Sequence, residues 1–104
     1  MKVIKVTEKT FENEVLNSEK TVVADFNADW CGPCRMLAPI VEELASENEN
    51  VKFVSVNIDE EFELASQFNI SSIPCVIIFK NGKEAKRSIG FKPKAAFEEM
   101  IKNV

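Results

Sequence analysis

Two cysteines, Cys31 and Cys34, stand three residues apart in the stretch DFNADWCGPCRM, which runs from Asp25 to Met36. Trp30 precedes them, Gly32 and Pro33 lie between them, and a carboxylate, Asp25, sits six residues before the first. Such a pair can clip a metal, staple a fold or exchange disulfides. The chain has three cysteines and no histidine. That excludes Cys–His and Ser–His catalysis, a C-x-x-C-H haem attachment and a Cys₂His₂ zinc site. Zinc normally takes four ligands, so a metal-binding module would need a carboxylate or a second chain to complete its set. An odd cysteine count does not fit a disulfide-dense secreted scaffold, and in a reducing compartment C-x-x-C reads as redox or metal chemistry rather than structure.

The neighbouring patterns say where the pair sits. TVVADFNA is a dense β-type run of the length of a buried strand. From Pro33 to about Glu49 the pattern is helical, with Leu37, Ile40, Val41, Leu44 and Ala45 on one stripe. The cysteines therefore lie where a strand hands over to a helix. Three-residue spacing on a first helical turn leaves side chains about 5–6 Å apart at Cβ, and a small adjustment permits a disulfide. The ring it closes is tiny and constrains little unfolded chain, so it stabilises little and suits turnover better than stapling.

Position also separates the two sulfurs. Cys31 falls at or next to the N-cap, where a thiolate accepts from unpaired first-turn N–H groups, such as that of Cys34, and feels the positive end of the helix dipole. Cys31 is thus expected to be the acidic thiol and the nucleophile. Cys34, one turn further in, is expected to be better shielded and to act as the resolving thiol. Gly32 and Pro33 leave little bulk over Cys31. Strand alternation puts Asp25 on the face of Val23, opposite Val22, Ala24 and Phe26. A carboxylate buried there has a raised pKa, which suits proton exchange near neutrality, and the helix returning over the sheet could bring Cys34 near it.

The remaining elements form the frame. Val3, Ile4 and Val6 predict a short first strand. Thr7 is expected to cap a helix with Glu8 in its first turn and Phe11, Val15 and Leu16 facing inward. Pro39 should kink the helix that follows the cysteines. VKFVSVNI reads as a third strand, and Asp59 is expected to cap a short helix carrying Glu60 and Glu61 in its first turn. CVIIF is a fourth strand, Asn81-Gly82 a two-residue hairpin signal, and KEAKRSI a polar strand suited to a sheet edge. A last helix from Pro93 carries Phe97, Met100, Ile101 and Val104 on one stripe. The order β-α-β-α-β-α-β-β-α implies an α/β fold: a mixed sheet of about five strands, parallel early and closed by an antiparallel hairpin, with about four helices on both faces.

The chain has 104 residues, which suits a single domain over 1–104 with a real core. Its formal charge of −4 argues against nucleic acid or an anionic membrane as partner. No apolar run approaches the ~18 residues of a membrane span, and the apolar part of MKVIKVTEKT is too short for a secretory signal. A cytoplasmic protein is expected, monomeric by default.

WCGPC with Asp25 upstream, APIVEEL with its proline, NID, SSIPCVIIFKNG and the late Gly90 fall together in the order and spacing of one family. Over essentially its whole length the chain resembles the bacterial-type thioredoxin family. That resemblance implies a protein-disulfide reductase and electron carrier with no cofactor of its own beyond the redox-active Cys31–Cys34 disulfide. It implies disulfide-containing protein substrates, and re-reduction by a thioredoxin reductase that draws on NADPH through its flavin. It implies that Asp25 accepts the proton of Cys34, through water, and that Pro74 is cis and packs against the cysteines. Ile73 would offer backbone hydrogen bonds to an extended substrate, and Trp30, Gly32, Pro33, Ile73, Gly90 and Phe91 would form a flat apolar rim.

Three positions depart from the pattern. Asn27 stands where many members carry tryptophan. Ser55 stands where many bacterial members carry lysine, which removes a cation beside Asp25 and predicts a higher pKa there. Cys75 follows Pro74 where threonine is usual, which should bring a third sulfur close to the pair. Each singled-out residue also has a plainer reading. Cys75 reads first as a small buried hydrophobe and only second as a regulatory thiol, mixed-disulfide partner or metal ligand, Arg35 as solvated surface charge rather than a thiolate partner, and Phe91 as a loop residue packed inward. Other functions stay open at this point: a disulfide oxidase or isomerase, which favours a more stabilised thiolate, or a non-catalytic thioredoxin-fold binding subunit.

Overall fold

The structure, a computed structural model, describes residues 2–104. Five strands form one sheet: β1 (Val3–Lys5), β2 (Thr21–Asn27), β3 (Val51–Asn57), β4 (Cys75–Lys80) and β5 (Lys83–Ile89). Their order across the sheet is β1-β3-β2-β4-β5. β1, β3 and β2 run parallel, whereas β4 and β5 are antiparallel additions. The described residues also form three α-helices, α1 (Gly32–Glu47), α2 (Phe62–Gln67) and α3 (Lys94–Lys102), and a π-helical turn at Glu12–Leu16. The element order and the mixed α/β architecture are those expected.

β2 is central because both of its faces are covered, and its residues from Val22 to Phe26 are all buried. Val22, Ala24 and Phe26 point into a core with Phe11, Val15, Leu64 and Phe79. Phe68 packs on this core, with its ring 5.3 Å from that of Phe11 and 5.4 Å from that of Phe79. Val23 points the other way, against Leu37, Val41 and Leu44 of α1 and Phe97 of α3. Burial of each such side chain contributes roughly 1.5–3 kcal/mol. Asp25 shares the face of Val23, as alternation requires.

The hairpin forms at Asn81-Gly82, where φ is 55° and 78°. Two successive left-handed residues match the twist of the flanking strands, the reason Asn-Gly is favoured there. A Cβ on Gly82 would lie 2.6 Å from the carbonyl oxygen of Leu16, so the turn also needs glycine for space. β5 is an edge strand, and Lys83, Glu84 and Ala85 are exposed on it.

Two helices differ from expectation. After β1 the chain makes a turn in which the Thr7 hydroxyl accepts from Lys9 N at 3.2 Å and the Thr10 hydroxyl accepts from Thr7 N at 2.9 Å. With Phe11 N also donating to Thr7 O at 2.9 Å, Thr7 caps this turn as expected, but the chain continues as a π-helical turn rather than an α-helix. Asp59 does not cap α2. Asn57 Oδ1 accepts from the backbone N–H of Asp59 and of Glu60, which spends those residues in a turn. α2 then begins at Phe62, and its first-turn N–H of Glu63 is satisfied by the Glu8 carboxylate at 3.1 Å. Glu61 Oε1 in return accepts from Glu8 N at 2.9 Å. The cap comes from a residue more than fifty positions away, which no local pattern could announce.

Candidate functional site

α1 starts at the end of β2, and its first turn is built by Cys31, Gly32, Pro33 and Cys34. Cys31 is the N-cap, with extended φ −89° and ψ 112°. Pro33 occupies the first turn, where a missing N–H has no intrahelical acceptor to disappoint. Cys34 N donates to Cys31 Sγ at 3.1 Å, the bond a serine or aspartate would make at a helix cap. Arg35 N donates to Cys31 O at 3.1 Å and closes the turn. The Arg35 guanidinium donates to Asp29 O at 2.8 Å, so it braces the loop before the helix. The sulfur of Cys31 thus sits among first-turn amides at the positive end of a 16-residue helix, with no acid in that turn.

Cys31 and Cys34 are disulfide-bonded, with Cα atoms 5.2 Å apart. Cys31 is 5% exposed and Cys34 3%, so the expected difference in shielding is slight in this oxidised state. The bonded sulfurs cover one another, and Ala28, Ile58 and Ile73 pack around them. Access to Cys31 is therefore a matter of the rim. Trp30 is 67% exposed, Pro33 and Phe91 are exposed, and Gly32, Ile73 and Gly90 are half-buried. The Trp30 indole N–H donates to Asp59 Oδ2 at 2.9 Å, which fixes the ring beside the pair and gives Asp59 its role. The Ile73–Pro74 peptide is cis, and Pro74 is buried. Ile73 O lies 3.9 Å from Cys31 Sγ. Gly90, at φ 91°, donates its N–H to Pro74 O at 2.7 Å and ties the loop after β5 to the one before β4.

Asp25 is 4% exposed, and its Oδ1 has no hydrogen-bond partner within the protein. Burial pushes its pKa up to about 7, against a smaller opposing influence of the Asn27 amide. That amide makes its hydrogen bonds to Asp25's own carbonyl and to Ser55 Oγ, both at 2.9 Å. Asp25 and Cys34 line one cavity of about 390 Å³ between the sheet and α1, together with Asn27, Ser55, Val41 and Lys5. Asn27 and Ser55 are the two departures from the tryptophan-and-lysine pattern, and both short side chains face this space. The arrangement can hold one sulfur as an anion at a helix start and exchange a proton with the other through the recess that Asp25 and Cys34 both line.

Cys75 is the small buried hydrophobe of its plainer reading, and it does not join the redox pair as its place after Pro74 suggested. It is buried in the core on the α2 side with Phe26 and Ile77, not in the cluster that holds Cys31 and Cys34. Register explains this: Cys75 pairs with Phe26 across the sheet and shares its face, the face opposite to Asp25. Burial pushes its thiol pKa up. Among the described residues, no group of three or more His, Cys, Asp or Glu side chains is gathered as a metal ion would need, and no helix is long and apolar enough to cross a membrane.

Comparison with known proteins agrees with this geometry. The thioredoxin family model matches residues 2–103. The chain belongs to the thioredoxin family. It is 48% identical over 99 residues to the thioredoxin of Rickettsia bellii, with 94% of each chain covered. It is 42% identical over 102 residues to that of Bacillus subtilis, covering 97% of this chain and 96% of the relative. It is 50% identical over 97 residues to thioredoxin 1 of Synechococcus elongatus, covering 92% and 91%. As a member with its C-x-x-C pair bonded at the head of α1, the protein is a thiol–disulfide oxidoreductase.

Proposed function

We propose that the protein works as a reductase of protein disulfides, acting as a single domain, in the cytoplasm and as a monomer. The observation that carries this reading is the bond from Cys34 N to Cys31 Sγ at 3.1 Å. An amide aimed at a sulfur favours its anionic form, and the thiolate is the nucleophile in disulfide exchange. In the reduced protein the Cys31 thiolate attacks one sulfur of a substrate disulfide. The substrate S–S bond breaks, its other sulfur leaves as a thiolate, and a mixed disulfide joins Cys31 to the substrate. Cys34 then gives its proton to the Asp25 carboxylate, attacks Cys31 Sγ and releases the second substrate thiolate. The substrate has gained two electrons, and the chain ends with the Cys31–Cys34 bond.

The tiny ring supports turnover, because a bond that constrains little unfolded chain is readily reopened. An Asp25 pKa of about 7 suits a group that must take and return a proton near neutrality. The rim of Trp30, Gly32, Pro33, Ile73, Pro74, Gly90 and Phe91 would receive an extended segment, with the backbone of Ile73 as hydrogen-bond partner. A thioredoxin reductase, drawing on NADPH through its own flavin, would return the pair to the dithiol. The free, buried Cys75 suits a reducing compartment, which supports the cytoplasmic assignment. The test is insulin reduction driven by NADPH and a thioredoxin reductase. Cys31→Ser should abolish turnover, and Cys34→Ser should accumulate the mixed disulfide. Full activity of the Cys31→Ser protein would end the proposal, and a potential near that of disulfide isomerases would reassign the direction of exchange.

A further inference from the structure

Lys5 is not accounted for by the cysteine pair or its rim. It lies on edge strand β1, where an exposed lysine is ordinary. Its register is not ordinary. Lys5 pairs with Ser55 on β3, and Ser55 pairs with Asp25 on β2. Register partners in parallel strands share a face, so Lys5, Ser55 and Asp25 form a row across the α1 side of the sheet. The row two residues earlier is Val3, Phe53 and Val23, all buried against α1, which establishes the face. Two strand spacings of ~4.8 Å put the backbones of Lys5 and Asp25 ~10 Å apart, within the combined reach of an extended lysine and an aspartate. Ser55 is short, and its oxygen is engaged by Asn27, so the path between them is the cavity that all of these residues line.

The Lys5 ammonium rests on Glu60 at 2.8 Å, with the two side chains 61% and 51% exposed. Such an open ion pair is weak and easily exchanged. The other charged groups lining the cavity are Asp29 from the loop after β2 and Arg35 and Glu42 from α1. Arg35 is engaged with Asp29 O. The Asp25 carboxylate has a buried oxygen with no protein donor, an unfavourable setting for its ionised form.

We propose that Lys5 is a positioning residue for the proton step: its ammonium leaves Glu60, reaches through the cavity over Ser55 and pairs with the Asp25 carboxylate whenever that group is ionised. This rests on the reading of Asp25 as the base for Cys34. The pairing keeps a larger fraction of Asp25 in its proton-accepting form. As the Cys34 S–H bond breaks and the Asp25 O–H bond forms, the carboxyl becomes neutral and the ammonium returns to Glu60. No other bond changes in the step.

The experiment follows the Asp25 carboxyl carbon by NMR through a pH titration of the reduced protein. Lys5→Met keeps the aliphatic stem and removes the charge, and it should raise the midpoint by about one pH unit, the low end of what a contacting opposite charge does. Glu60→Gln frees the amine and should lower the midpoint. The double variant decides between contact and a general field. If Lys5 acts by contact, Glu60→Gln lowers the midpoint only while Lys5 is present. An equal fall in the Lys5→Met background, or an unchanged midpoint in Lys5→Met, overturns the proposal. The resolution rate of a trapped mixed disulfide in Asp25→Asn separates the two readings. A wild-type rate there would remove Asp25 as base while leaving the Lys5 contact to stand or fall on its titration.

Discussion

Raising the pH from about 5 to about 8 should destabilise the oxidised protein, and Asp25→Asn should abolish that dependence. The carboxyl has its ordinary value of 3.8 in the unfolded chain and about 7 in the folded one, because burial penalises its charge. Between those values the folded chain holds a proton that the unfolded chain has released, so stability falls as pH rises. The contribution is fully present below the unfolded value and is lost as the pH passes through the folded value. At about 1.4 kcal/mol per pH unit the whole interval corresponds to roughly 4 kcal/mol. Starting at about pH 5 avoids most of the exposed carboxylates and leaves roughly 3 kcal/mol to observe. That is a large part of the ~5–15 kcal/mol that holds a domain together. Lys5 reaching the carboxylate would reduce the drop, so this figure is a ceiling. Urea unfolding of the oxidised protein across the window measures it without interference from the thiols of the pair. The substituted amide carries its own buried-polar cost of about 1–3 kcal/mol, but that cost does not depend on pH. The slope is therefore the test. A wild-type profile that is flat from about pH 5 to about pH 8, or an Asp25→Asn profile as steep as wild type, would refute the reasoning.

Two further outcomes follow from particular contacts. Gly82→Ala should lower the urea midpoint while leaving disulfide chemistry intact, because φ 78° is strained for alanine and the new Cβ meets Leu16 O at 2.6 Å. The backbone strain alone costs roughly 1–2 kcal/mol, and an unchanged midpoint would mean that the hairpin relaxes freely. In the reduced native protein, iodoacetamide should label Cys31 while Cys75 reacts only after unfolding, since Cys75 is 1% exposed and burial pushes its thiol pKa up. Peptide mass spectrometry reads this directly, and Cys75 labelled as fast as Cys31 would contradict its place in the core.

Much of the site was legible in the sequence because it is local. Cys31 falls at a helix start for reasons contained in a dozen residues: a β-rich run before it, Pro33 just inside, and an apolar stripe beginning at Leu37. Alternation alone placed Asp25 on the face of Val23, and Asn81-Gly82 announced its own turn. The misses have a different character. Asp59 has the residue type of a cap, but Asn57 takes the neighbouring amides and Trp30 takes Asp59. Cys75 follows Pro74, which the family resemblance packs against the pair, yet its strand parity turns it to the opposite face.

By itself, then, the sequence determined the helix that presents Cys31, the face that buries Asp25 and the α/β element order, because caps, turns and alternation depend on residues a few positions apart. Only the tertiary structure decided that Lys5, Ser55 and Asp25 stand in one row, that Glu8 and Glu61 exchange caps, and that Cys34 and Asp25 share a cavity. Those relations depend on strand order and register, which are set when β1 docks on β3 and α1 closes over the sheet, and segments distant in the chain carry no mark of their partner until they pack.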